Sequence, residues 1–128
     1  MAELSNYLEN KLLDHILKNV SYTSPTTVYV GLFLTDPTDA GSGTEVSGGS
    51  YARKTLSVTT ASGGIVTSSA DVTFDQATAN WGTVAYIGLF DAITSGNLLM
   101  HTALTTSKVI ETGDIFKIPS GNLTATLD

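Results

Sequence analysis

The sequence predicts a mainly β protein: an antiparallel β-sandwich, jelly-roll-like or Ig-like, of about seven strands preceded by one N-terminal amphipathic α-helix. Three observations predict it. First, charged residues make up only 14% of the chain, against roughly 25% in ordinary soluble domains. In their place stand 20 Thr and 13 Ser. Thr is β-branched and suits a pleated surface. Second, apolar residues recur at helical spacing only near the N-terminus and then shift to short strand-like runs. Third, Gly, Pro, Asn and Asp punctuate those runs at short intervals, as in sandwiches and barrels.

The helix is predicted over residues 4–19, within an N-terminal helical unit 1–20. Leu4, Leu8, Leu12 and Ile16 recur every four residues, flanked by Tyr7, Leu13 and Val20. Glu9, Asn10, Asp14 and Lys18 fall largely on the other face. Glu3 near the start and Lys18 near the end suit the helix dipole.

After Ser24-Pro25 the sandwich is predicted over residues 26–128, giving a single domain with the helix. Residues 27–34 form a β-rich run stopped by Asp36-Pro37. Residues 36–50 are a long loop rich in Gly, Ser and Thr, and loops of that length tend to be functional. Strands follow over 56–60 and 65–74, around an Ala61-Ser62-Gly63-Gly64 turn. Ala70, Val72 and Phe74 alternate with Asp71 and Thr73, so one face should be buried. Residues 83–90, 98–104, 115–118 and 123–127 complete the set. Tyr29-Val30-Gly31-Leu32-Phe33 is echoed by Tyr86-Ile87-Gly88-Leu89-Phe90. The echo reflects either shared core-strand composition or equivalent strands of a pseudo-symmetric sandwich, which can be neighbours. In the second case Gly31 and Gly88 mark a bulge or a close approach, with the helix as the element to pass over them. Trp81 is assigned to the core in preference to an interface.

The net charge of −6 argues against nucleic acid as a partner, because phosphate binding needs a basic patch. It equally disfavours anionic membrane surfaces. The longest apolar runs are too short to span a bilayer, and residues 1–20 do not look like a signal peptide. No cysteine is present, which removes disulfides, thiolate nucleophiles and zinc-thiolate sites. His15 and His101 stand in no metal-ligand or catalytic spacing. The Gly/Ser loop lacks both a nucleophile elbow and a phosphate-binding frame. Asp36, Asp71 and Glu111 are the acids to weigh for glycoside hydrolysis, and Asp36 with Asp39 for calcium; bracing of turns is the ordinary role of such acids. No catalytic, cofactor-binding or metal-ligating residue is expected, and the chain is not expected to be an enzyme.

The segment from Leu4-Ser5-Asn6-Tyr7-Leu8-Glu9 to Asp14-His15 is similar to the opening of a family of small tailed-phage virion proteins. The likeness continues through Thr35-Asp36-Pro37-Thr38, Gly43-Thr44-Glu45-Val46-Ser47-Gly48-Gly49-Ser50-Tyr51-Ala52-Arg53, Ala70-Asp71-Val72-Thr73-Phe74 and Trp81-Gly82-Thr83-Val84. Members of that family are commonly labelled tail fibre proteins. The resemblance implies a structural component of the virion, assembled in the host cytoplasm. Its partners would be other virion proteins, the major capsid protein or tail proteins, with the chain itself a homo-oligomer. The sequence has none of the heptads or β-helix repeats that build a fibre shaft. A compact knob is therefore expected, most simply a capsid decoration (cement) protein that stabilises the outer shell. The alternative is a tail fibre or tail-tip protein that binds a host receptor, with Tyr51 and Trp81 as ligand platforms. The helix and the long loop are the expected contact elements. Leu4, Tyr7 and Lys11 on the first and Glu45, Tyr51 and Arg53 on the second are the candidate interface residues.

Overall fold

The computed structural model describes residues 2–127. It contains nine strands and one helix: β1 (Glu3–Leu4), α1 (Asn6–Leu17), β2 (Val28–Phe33), β3 (Lys54–Leu56), β4 (Ile65–Thr67), β5 (Val72–Thr73), β6 (Gly82–Phe90), β7 (Leu98–Ile110), β8 (Lys117–Ile118) and β9 (Thr124–Thr126). All pairing is antiparallel. A five-stranded sheet runs β1-β7-β6-β2-β3, with two short ladders, β4-β9 and β5-β8, beside it. The fold is mainly β with one N-terminal helix, as the sequence predicts.

The core lies between the large sheet and the short ladders. Val30, Leu32, Val84, Ile87 and Leu89 come from the sheet; Val72, Phe74, Phe116, Ile118 and Leu123 come from the opposing side. This two-layer, sandwich-like packing explains the alternation along β2 and β6. One face of each strand is core, and the other carries Phe33, Phe90 and the glycines.

The repeated pentapeptide is a pair of neighbouring strands. Tyr29 pairs Phe90, Gly31 pairs Gly88 and Phe33 pairs Tyr86, so the two copies run antiparallel about the glycine pair. The glycines mark a close approach, as the sequence suggests, but α1 does not cover them. A Cβ on Gly88 would lie 2.9 Å from ring carbons of Phe33 and Phe90. Those rings stack over the pair with centroids 5.8 Å apart. On Gly31 a Cβ would lie 2.9 Å from the Glu45 carboxylate. The glycines thus make room for the polar network described below.

The helix is shorter than its apolar pattern. Ser5 caps it, its Oγ accepting from the Leu8 N–H at 3.2 Å. Before the cap the chain is extended, and Leu4 pairs with Met100 of β7. At the other end Asn19 adopts φ 58°, a left-handed stop that suits Asn. No side chain of α1 is buried. Leu8 and Leu12 are half-covered, while Leu13, Ile16 and Leu17 are 57%, 72% and 78% exposed.

The run 65–74 is two strands instead of one. β4 pairs with β9 and β5 with β8. Buried Ser68 sits at the changeover, its Oγ accepting from the N–H groups of Gly121 and Leu123 at 3.0 and 3.3 Å. The strand beginning at Leu98 runs on to Ile110, past the predicted end at residue 104. Two steps along β6, Val84 to Tyr86, are matched by five along β7, so the polar stretch is bulged within the ladder.

Candidate functional site

Two polar clusters bracket the loop between β2 and β3. The first is built on Arg53, which is only 7% exposed. Its Nε and Nη2 donate to the two oxygens of Glu45, each at 2.8 Å, in a bidentate pair. Its Nη1 donates to the carbonyls of Ala92 and Ser95 at 2.9 and 2.8 Å. The guanidinium lies 3.5 Å from the centroid of Phe90. The Tyr51 hydroxyl donates to Glu45 at 2.6 Å and accepts from the Leu32 N–H at 2.9 Å. Burial, then the bond to the Glu45 carboxylate, pushes that phenol well above its usual range.

Aromatic packing extends the network into the core. Tyr51 stacks on Phe74 and meets Trp81 edge-on, with centroids 6.1 and 5.5 Å apart. Trp81 is 4% exposed and donates from its indole to the Gly49 carbonyl at 2.9 Å. Trp81 is therefore part of the core, and the partly buried Tyr51 packs against it with its hydroxyl turned inward, so the two do not form the exposed ligand platform that was the alternative expectation. The reason is local: Gly49 takes φ +59, and a Cβ on it would lie 2.9 Å from the indole nitrogen, so the loop closes on the edge of the ring. The loop is held to the rest of the chain by these internal bonds.

The second cluster surrounds His101 on β7, which is 6% exposed. Its Nε2 lies 2.8 Å from Asp39 Oδ1 and 4.0 Å from Glu3 Oε2, while its Nδ1 lies 3.9 Å from Asp36 Oδ1. Local structure sets each group. Glu3 is the β1 partner of His101. The Asp39 carbonyl accepts the Asn6 N–H at the start of α1, at 2.9 Å. Asp36 Oδ1 accepts the Thr38 N–H at 2.9 Å. The sequence marks His101 as a polar residue in an apolar strand, but carries no signal that residues so distant along the chain converge on it.

Of the six candidate interface residues, Glu45, Tyr51 and Arg53 are brought together, with their polar atoms turned inward. Leu4 is half-buried in β1, and Tyr7 is half-buried on α1 with Lys11 Nζ 5.7 Å from its ring centroid. These three do not join the network. The acids weighed for glycoside hydrolysis do not converge. Asp71 accepts from the Ser120 N–H at 2.8 Å and pairs with Lys117 at 3.2 Å. Those contacts, the backbone bond first, hold its carboxyl below the usual range. Asp114 accepts from the Glu111 N–H at 2.8 Å, an ordinary turn brace. Among the described residues no helix is long and apolar enough to cross a membrane.

The fold and its polar interior define a small antiparallel β protein whose charged groups chiefly fasten its own loops. A family model described as podophage GP4 fiber I protein gp80 matches residues 3–126. The chain belongs to that family, and so to the small virion proteins of tailed phages that carry a fibre label. A search of curated proteins finds no match.

Proposed function

We propose that the chain is a non-enzymatic module of a podophage particle, a fibre-type component attached to a neighbouring virion protein through α1. The observation that supports this is the outer face of the helix. Leu13, Ile16 and Leu17 project into solvent from an element with no buried side chain, and Val20 follows at 46% exposure. Covering side chains of this size is worth about 1.5–3 kcal/mol each, and clustered apolar exposure is a mark of an interaction site. The attached form would be a homo-oligomer, the usual arrangement for repeated structural subunits.

The test is an Ile16→Asp, Leu17→Asp double variant supplied to a phage lacking its own copy. The variant should fold like the wild type, because exposed substitutions usually change stability by only about 0.5 kcal/mol. It should be missing from purified particles. Incorporation at the wild-type level would sink the reading. Light scattering of the two proteins would reveal whether the same face joins copies of this chain.

A second reading, capsid decoration, draws on the compact knob and on the single helix of 12 residues, too short for a coiled-coil shaft. Copy number separates the two. Hundreds of copies per particle by quantitative gel densitometry favour decoration of the shell; a small fixed number favours a tail fibre.

A further inference from the structure

We propose that Glu3, Asp39 and His101 bind one divalent transition-metal cation of the zinc class, with Asp36 as the carboxylate that orients the imidazole. Ligand atoms of the three residues all lie within 4.8 Å of one another, and among the described residues no other set of three such side chains does so. The ring of His101 is fixed by burial and directs Nε2 at both carboxylates. Ligands about 2.0–2.2 Å from a tetrahedral cation stand roughly 3.5 Å apart. The separations of 2.8 and 4.0 Å bracket that value, so shifts of well under 1 Å would complete the site.

The opposite ring nitrogen supports the same conclusion. Nδ1 faces Asp36 Oδ1 at 3.9 Å, just beyond direct hydrogen-bond reach, so a small shift on metal binding would let the ring donate to it. A metal-bound histidine commonly passes its second N–H to a carboxylate, which fixes the tautomer and raises the ligand's basicity. Charge agrees as well. Among the described residues, His101 is the one basic partner of Glu3, Asp36 and Asp39. A dication answers that excess of carboxylate better than one imidazole does. Calcium is disfavoured, since it takes six to eight oxygens and a nitrogen ligand suits it poorly. Glu3 and Asp39 have side chains 72% and 47% exposed, which leaves entry and a fourth coordination position open to water. The bound ion would tie the segment leading into α1 to the long loop and to β7.

The experiment uses the untagged full chain, stripped with a chelator and titrated calorimetrically with zinc chloride. One equivalent should bind with micromolar affinity or better, and Tm should rise with zinc and fall back on chelation. Cobalt chloride should give the ligand-field absorption of a low-coordinate site. Glu3→Gln, at an exposed position, should keep the fold and weaken binding at least tenfold. Asp39→Asn and His101→Gln should each weaken it further, and Asp36→Asn should weaken it roughly 10–100-fold. Absence of binding at millimolar zinc would overturn the proposal. So would wild-type affinity in both Glu3→Gln and Asp39→Asn, or calcium binding as tight as zinc.

Discussion

Replacing Arg53 with Ala tests whether the network around it is structural. The substitution removes a bidentate pair with Glu45, two bonds to the Ala92 and Ser95 carbonyls, and a guanidinium seated 3.5 Å over Phe90. Breaking a buried pair by deleting one partner typically costs about 3–5 kcal/mol, because the other charge is stranded. Glu45 retains the Tyr51 hydroxyl, and its side chain is 24% exposed. These moderate the penalty and place the expected loss near the lower end, about 3 kcal/mol. At about 2.1 cal/mol/K per residue, unfolding 128 residues carries roughly 0.27 kcal/mol/K of entropy, so Tm should fall by about 10 °C. Urea unfolding should give the same loss with an unchanged m-value. A double-mutant cycle with Glu45→Ala should return a coupling of at least about 1 kcal/mol. A loss under about 1 kcal/mol for Arg53→Ala, with reduced incorporation into particles, would refute the structural role and make Arg53 a contact residue.

Two further outcomes are expected. Gly88→Ala would place a methyl group 2.9 Å from Phe33, Phe90 and Leu98; overpacking of this kind should cost about 1–3 kcal/mol in urea unfolding, and a neutral result would mean that the stacked rings move aside freely. Asp71 has a carboxyl held below its unfolded value by Ser120 and Lys117, so its stabilising contribution is present above the ordinary carboxylate pKa and is lost as pH falls through the lower folded value. The Tm difference between wild type and Asp71→Asn should therefore close in that acid window, and a difference constant from neutral pH down through it would contradict the assignment.

Much of the fold was legible because it follows from local chemistry. The change of apolar period located the helix and the two central strands, and the repeated pentapeptide marked strands that prove to be adjacent. Strand ends were harder to read. Residues 65–74 look continuous, and only the distant N–H groups of Gly121 and Leu123, which bind Ser68, divide them. Thr105, Thr106 and Ser107 lack an apolar face and stand opposite no residue of β6, yet β7 continues through them because pairing resumes at Lys108, opposite Val84, beyond the bulge. Glu45, Tyr51 and Arg53 stand close together in the sequence and converge in the fold, but their inward direction depends on a glycine pair that admits them. The His101 cluster joins β1, the long loop and β7, a convergence set by topology and invisible to spacing.

The placement of the two clusters bears on how the chain meets its neighbours. Asp36 and Asp39 secure the start of the long loop against His101, and Glu45, Tyr51 and Arg53 secure its end. A loop so fastened is a preformed surface, and a partner that docks on it pays little ordering entropy. Among the described residues, backbone hydrogen bonds tie the helix to the sheet and the loop at its beginning, where the Ser5 N–H donates to Leu99 and the Asn6 N–H to Asp39. Its exposed apolar residues lie in the C-terminal half, away from those bonds. The first turn is thus the fulcrum and the last turns are the free arm. A cation at Glu3, Asp39 and His101 would stiffen that fulcrum. On the proposed attachment through α1, zinc should then strengthen binding to the particle although it touches none of Leu13, Ile16 and Leu17.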